Sequence, residues 1–283
     1  MTTRGRSPVM QRRRLAAELH RLRSASGRTL DEVATHLECS PAKISRIENN
    51  QVAVRIQDAR ELLDLYQVDA DRREELLRMV REARAKGWWS GYADVLSEGD
   101  ETLLSLEEEA VAIRVYDNGV ITGLLQTEEY ARSYFGTWTD LPLEVVDRRV
   151  ALTMERQRIL HRPEPPRLTV VLDEAVLRRP VGSPEVMRAQ LGRLLEAAAH
   201  PAVTVRVLPF SAGPHQAMGF PFRIYEFSGD DPAVVHTELL DRGHPIEAAE
   251  EVGRYHAAFT QAEAKSLSPT DSRALLKDLE AMT

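Results

Sequence analysis

Residues 29 to 50, TLDEVATHLECSPAKISRIENN, constrain the chain more than any other stretch. Thr29 is placed to cap a helix, with Glu32 reaching back three residues later, and Leu30, Val33, Ala34 and Leu37 then share one face at helical spacing. Glu38-Cys39-Ser40 interrupts that pattern. Ser40 followed by Pro41 supplies an N-cap with proline at the first helical position, so a second helix begins at once. Its buried face is Ile44 and Ile47, ten and thirteen residues after Ala34. That offset suits two helices crossing at roughly 90–120° over a tight turn, with a small residue, Ala34, at the crossing.

With Ile44 and Ile47 turned inward, Ala42, Lys43, Ser45 and Arg46 point outward near the start of the second helix, where a recognition helix presents side chains to the major groove. Lys43 and Arg46 are donors suited to guanine edges or phosphates, and Thr29 and Ser40 are candidate phosphate contacts. A plain helical hairpin is the alternative, and the charge distribution argues against it. Residues 1 to 60 hold twelve Lys and Arg against six Asp and Glu, a balance of +6, so the other 223 residues carry −13 of the overall −7. A basic head on an acidic body suits a DNA-binding domain joined to something else.

The run SPAKISRIE and the spacing of Ala34 to Leu37 resemble the helix-turn-helix of the Xre family of bacterial regulators. Leu30 stands where such proteins often carry glutamine, and Glu38 stands at the turn where glycine is usual. A non-glycine residue held there at positive φ costs about 1 kcal/mol. A helix from Val9 to Ser26, with Leu15, Leu19 and Leu22 on one face, and two later helices, Ile56 to Tyr66 and Arg72 to Lys86, complete a five-helix domain over residues 9–87. Residues 1–8 read as a basic arm with Arg4 and Arg6. The aromatic cluster from Trp88 opens a linker over residues 88–100.

The second domain, residues 101–283, reads as mixed α+β with four or five strands. An acidic helix from Leu103 to Ile113 comes first. A helix capped by Thr127 follows, burying Tyr130 and Tyr134, and then a long helix from Leu143 to Leu160. Strands are expected at Leu168 to Leu172, Val203 to Val207, Phe222 to Phe227 and Ala233 to Thr237, the last two as a hairpin around Ser228-Gly229-Asp230-Asp231. A helix over Glu185 to Ala199 and two closing helices, Ile246 to Lys265 and one capped at Ser268, finish the chain.

Four motifs, GLLQTEEYAR at 123–132, ERQRIL at 155–160, LDEAVLRRPVG at 172–182 and VLPFSAGPH at 207–215, resemble the effector domain of actinobacterial Xre-type, antitoxin-like regulators, often encoded beside a small partner protein. The resemblance implies a transcriptional regulator whose second domain binds a signal or a partner. Gln126, Glu174 and His215, inside these motifs, are the candidate effector-site residues. The loop 211–220 adds Met218 and Phe220 as adaptable apolar surface.

No HExxH, CxxC, GxSxG or GxxxxGK[ST] pattern occurs, and His215, His236, His244 and His256 are irregularly spaced within 42 residues. The expectation is therefore a regulator without catalytic residues, cofactor or metal, rather than an enzyme with a DNA-binding head. One cysteine, Cys39, and no apolar run of membrane-spanning length lead to the expectation of a cytoplasmic protein. One motif reads a half-site, so the expected DNA-bound form is a homodimer on a double-stranded operator. The rival reading is an antitoxin-like protein that sequesters a small partner and binds DNA to regulate its own operon.

Overall fold

The computed structural model describes residues 7–97, 99–138, 140–238 and 243–283. The expected basic arm, with Arg4 and Arg6, lies almost wholly outside them. The chain divides into two compact units at Ser90 and Gly91.

The first unit holds five helices: α1 (Pro8–Ala25), α2 (Leu30–His36), α3 (Pro41–Glu48), α4 (Ile56–Leu65) and α5 (Ala70–Glu82). Their inward faces form one core in which Leu15, Leu19, Val33, Ala34, Ile44, Ile47, Leu62, Leu63 and Leu76 are buried. α1 to α4 all end the same way. The residue after each C-cap, Gly27, Glu38, Asn50 and Gln67, sits at positive φ, and paired 6→1 and 5→2 backbone bonds close the turn. At Glu38, with φ 48°, these are Cys39 N–H to the Ala34 carbonyl at 2.9 Å and Glu38 N–H to the Thr35 carbonyl at 3.3 Å. The turn thus forms with glutamate in the conformation that glycine adopts without a Cβ penalty. α5 stops at Glu82, short of the expected Lys86.

Trp88–Tyr92 is a 3-10 turn, and Asp100 already opens α6 (Asp100–Glu109), so the segment expected as a linker contains regular structure at both ends. In the second unit α6 is followed by β1 (Ala112–Asp117), α7 (Glu128–Phe135), α8 (Leu143–Arg156), β2 (Arg167–Asp173), α9 (Glu174–Arg178), α10 (Pro184–Ala197) and β3 (Val203–Leu208). Then come β4 (Phe222–Glu226), β5 (Val234–Glu238), β6 (Gly243–Ile246), α11 (Ala249–Lys265) and α12 (Pro269–Met282). The strands form one six-stranded mixed sheet in the order β3-β2-β1-β4-β5-β6. β1, β2 and β3 run parallel, and β4, β5 and β6 are antiparallel additions.

Among the described residues the expected four or five strands are six. Ile113, expected at a helix end, lies in β1. Three consecutive glutamates at the end of α6 oppose the helix dipole, and the largely apolar AIRVYD takes over as a strand. Ile246, expected to start a helix, ends β6, and α11 starts at Ala249. α8 gives way at Gln157 to a 3-10 turn (Gln157–His161), and Tyr134 is only half-buried while Tyr130 is fully buried.

One face of the sheet, through Tyr116, Val171, Phe222, Ile224 and Val235, packs on Val252, Phe259 and Ala262 of α11. Val115, Val170, Leu172, Tyr225 and Val234, at the alternate positions, are equally buried, so the second face is covered as well. Edge strand β3 is closed off by the turn between the last helices. Leu267 N–H donates to the Val207 carbonyl at 2.9 Å, and Val207 N–H donates to Ser272 Oγ at 2.9 Å.

Candidate functional site

In the first unit the candidate DNA-facing residues collect at the starts of two helices. Thr29 caps α2 in a reciprocal box: its Oγ1 accepts the Glu32 N–H at 3.2 Å, while its own N–H and Oγ1–H go to Glu32 Oε2 at 2.8 and 3.1 Å. Those amide and hydroxyl bonds hold the Glu32 carboxyl below its ordinary range. Ser40 caps α3, its Oγ accepting the Lys43 N–H at 3.3 Å. Ala42 and Arg46 are exposed and Lys43 and Ser45 half-buried, on the side of α3 opposite the buried Ile44 and Ile47.

Three of these side chains are already engaged. Lys43 Nζ makes an ion pair with Asp58 at the start of α4, 2.6 Å, and Arg46 Nε donates to the Ala42 carbonyl at 3.3 Å. Ser45 Oγ accepts from Asn49 at 3.2 Å. The back of α3 is pinned by Arg23 of α1, whose guanidinium grips Glu48 at 2.7 and 2.9 Å, with His20 on the same carboxylate at 2.9 Å. A helix held from behind by a half-buried ion pair presents its front face in a fixed orientation.

The second-unit candidates each have bonding partners of their own. Gln126 is buried, its amide donating to the Ile121 carbonyl at 2.7 Å and its carbonyl accepting from Gln157 at 2.8 Å. Gln190 continues the pattern by bridging Leu125 and Thr127. This is internal scaffolding of backbone turns. Glu174 is likewise buried: one oxygen accepts from Arg178 at 2.6 Å and the other from the Phe210 N–H at 2.9 Å, which fixes the start of the loop after β3. His215, on that loop, stands 3.5 Å from the Tyr116 hydroxyl, and burial pushes its pKa down. Phe210, Met218 and Phe220 of the same segment are exposed.

Sequence reasoning missed the densest polar cluster of the second unit. Asp117, Arg223, Tyr225, His236 and Glu238 come from β1, β4 and β5. By strand parity they lie on the sheet face opposite the α11 core, and Arg223 is directly paired with both Val115 and His236. Asp117, Arg223, Tyr225 and His236 are buried. Arg223 Nη1 pairs with Glu238 at 2.8 Å, and Arg156 of α8 clamps buried Glu107 of α6 at 3.0 and 2.7 Å.

Burial, reinforced by Glu238, pushes the Asp117 carboxyl up to about 7 against the pull of Arg223. Burial and the Arg223 charge bring His236 down to about 4. Burial works to raise Glu238, but Arg223 and Arg156 hold it below its ordinary range. The available signal was a charged or titratable residue at the centre of an apolar strand, Arg223 in FRIYE and His236 in VVHTE. Among the described residues no group of three or more His, Cys, Asp or Glu side chains has a metal-holding arrangement, and no helix is long and apolar enough to cross a membrane.

Residues 14–76 match the helix-turn-helix domain family, which supports a DNA-binding regulator. No curated protein and no solved structure matches the chain. Residues 100–278, well over half of the chain, match the family described as domain of unknown function DUF5753, and the chain belongs to that family.

Proposed function

We propose that the chain is a sequence-specific transcriptional regulator of the Xre type that binds its operator as a homodimer and receives a signal or a partner through its C-terminal domain. The observation that carries this reading is the front of α3, where Ala42, Lys43, Ser45 and Arg46 stand together while Ile44 and Ile47 anchor the helix from behind. In this reading those four residues face base edges and Thr29 and Ser40 face phosphates. Lys43 reaches DNA by exchanging Asp58 for a phosphate or base acceptor, a swap between charged partners at a half-exposed site. The DUF5753 domain supplies the state dependence, shifting the population competent to bind DNA.

The test is anisotropy binding of the full chain to its own upstream DNA over a salt series, beside a Lys43→Ala, Arg46→Ala double variant. Tight, salt-dependent binding lost in the double variant is the expected result. Each lost bidentate base contact is worth about 1–3 kcal/mol. Unchanged operator affinity in the double variant overturns the assignment of α3 as the reading helix.

A second reading, an antitoxin-like protein that captures a small partner and autoregulates, draws on the exposed Phe210, Met218 and Phe220 around one loop. A stoichiometric small protein co-purifying with the wild type, and lost when those three are replaced by serine, would favour it.

A further inference from the structure

We propose that the buried polar cluster at the carboxyl end of β1, formed by Asp117, Arg223, Tyr225, His236 and Glu238, is a ligand site for a small organic monocation, a primary ammonium that carries one neutral acceptor oxygen. The proposal rests on the reading of the C-terminal domain as the receiver of a signal, and it names the chemistry of that signal.

The first ground is an excess of unpartnered polar atoms. Asp117, Tyr225 and His236 are 2% exposed or less and Arg223 only 6%, yet Asp117 Oδ2, Arg223 Nε, the Tyr225 hydroxyl and both His236 ring nitrogens have no hydrogen-bond partner among the described residues. The buried Thr122 hydroxyl, just beyond β1, is a further such atom. Most buried polar atoms in native interiors are paired, so the gathering of several unpaired ones in a single cluster points to a guest. Glu238 gives access: its side chain is 43% exposed while its carboxylate pairs with the buried Arg223, which sets it on a rim of the cluster. The backbone of Gly243 closes the other side, since a Cβ there would stand 2.4 Å from His236 Nε2. His236 Nδ1 is the ring atom left to meet a ligand.

The second ground is charge. Among the described residues Glu107 is neutralised by Arg156 and Glu238 by Arg223, which leaves Asp117 as the odd carboxyl group of the cluster, one that burial keeps protonated until a cation is there to balance its ionised form. A monocation balances it, a zwitterion leaves the imbalance as it was, and an anion worsens it. The unpaired donors Arg223 Nε–H and Tyr225 O–H, two residues apart on one face of β4, require an acceptor oxygen. That oxygen must be neutral, a hydroxyl or an amide carbonyl, because a carboxylate would restore the charge that the ammonium cancels.

The experiment is calorimetric titration of the full chain with ethanolamine and with glycinamide, beside glycine and acetate. Saturable binding of at least one of the two amines at one per chain is expected, with glycine at least about tenfold weaker and acetate silent. Losing the Asp117 charge should weaken the amine by about tenfold or more. Asp117→Asn tests this directly, and Glu238→Gln, at the exposed rim, carries the test should the buried variant fail to fold. Absence of amine binding at millimolar concentration overturns the site, as does equal binding of glycine and acetate or wild-type affinity in the folded variants. The cluster is then an internal ion-pair network without a guest.

Repeating the operator titration with and without the amine separates the two readings. Intact DNA binding with no amine binding removes the site alone. Amine binding that leaves operator affinity unchanged keeps the site and removes its role as the signal.

Discussion

Replacing Asp117 by Asn, and separately His236 by Gln, should expose two opposing pH dependences that nearly cancel in the wild type. Asp117 is raised from 3.8 to about 7 in the fold, chiefly by burial, so the folded state holds its proton more tightly than the unfolded chain. That contribution is complete below pH 3.8 and is lost as pH rises to 7. At 1.36 kcal/mol per pH unit the loss is about 4 kcal/mol. His236 is lowered from 6.5 to about 4, so the folded state resists a proton that the unfolded chain accepts. Its contribution is complete above pH 6.5 and is lost as pH falls to 4, about 3 kcal/mol.

The two windows overlap with opposite signs. Asp117→Asn should therefore show stability rising between pH 4 and 6.5, and His236→Gln should show it falling between pH 4 and 7, each by about 3–4 kcal/mol. Native-state hydrogen exchange of peptides from β1, β4 and β5, corrected for the intrinsic pH dependence of exchange, reads the local stability without assuming that both units unfold together. Parallel pH profiles for the wild type and both variants would refute the reasoning, because they would mean that neither group is shifted by its surroundings.

Glu38→Gly should raise thermal stability by about 1 kcal/mol or somewhat less, since it relieves a left-handed glutamate at the turn between α2 and α3; a lower melting temperature would contradict this. Glu107→Gln strands the buried Arg156 guanidinium and should cost about 3 kcal/mol in denaturant unfolding, a change that a merely superficial pair would not produce. Asp58→Asn releases Lys43 and should strengthen binding to operator and random DNA alike, steepening the salt slope by up to about one; an unchanged slope would mean that Lys43 does not reach the phosphates.

What could be read in advance follows from the range of the forces involved. Helix caps are local, so Thr29 with Glu32, Ser40 with Pro41, and Ser268 with Pro269 could be read directly, as could the inward spacing of Ala34, Ile44 and Ile47. The β4–β5 hairpin was equally legible from the turn residues Ser228-Gly229-Asp230-Asp231 between its strands. β1 was hidden because a short apolar run after an acidic helix looks like the helix's own end until its neighbours are known. Those neighbours, β2 and β4, begin 55 and 110 residues after β1 begins.

The polar cluster was illegible for the same reason. Nothing local joins Asp117 to Arg223 or Glu238; the register of β1, β4 and β5 does. Gln126 and Glu174 stand out in the sequence by their place inside the family-like motifs, and the structure gives them backbone partners that sequence spacing could not reveal.

The two capping hydroxyls proposed to face phosphate are not equivalent, and the difference can be tested. At Thr29 both the amide and the hydroxyl proton are spent on Glu32, and that carboxylate stays ionised at the N-terminus of α2, where an approaching phosphate would meet its charge. Ser40 accepts the Lys43 N–H, and among the described residues no carboxylate is bonded to its hydroxyl, so the start of α3 offers a phosphate the Ser40 hydroxyl and the Ala42 N–H without a competing anion. Glycine at an N-cap position costs only a few tenths of a kcal/mol relative to Ser or Thr, so it deletes the hydroxyl while sparing the helix. Ser40→Gly should therefore weaken every DNA sequence by a similar factor, with an unchanged salt slope because no charge is removed, whereas Thr29→Gly should leave affinity near the wild-type value. Equal losses in the two variants, measured by anisotropy at one salt concentration, would mean that Glu32 swings clear on binding and that both helix starts carry phosphate.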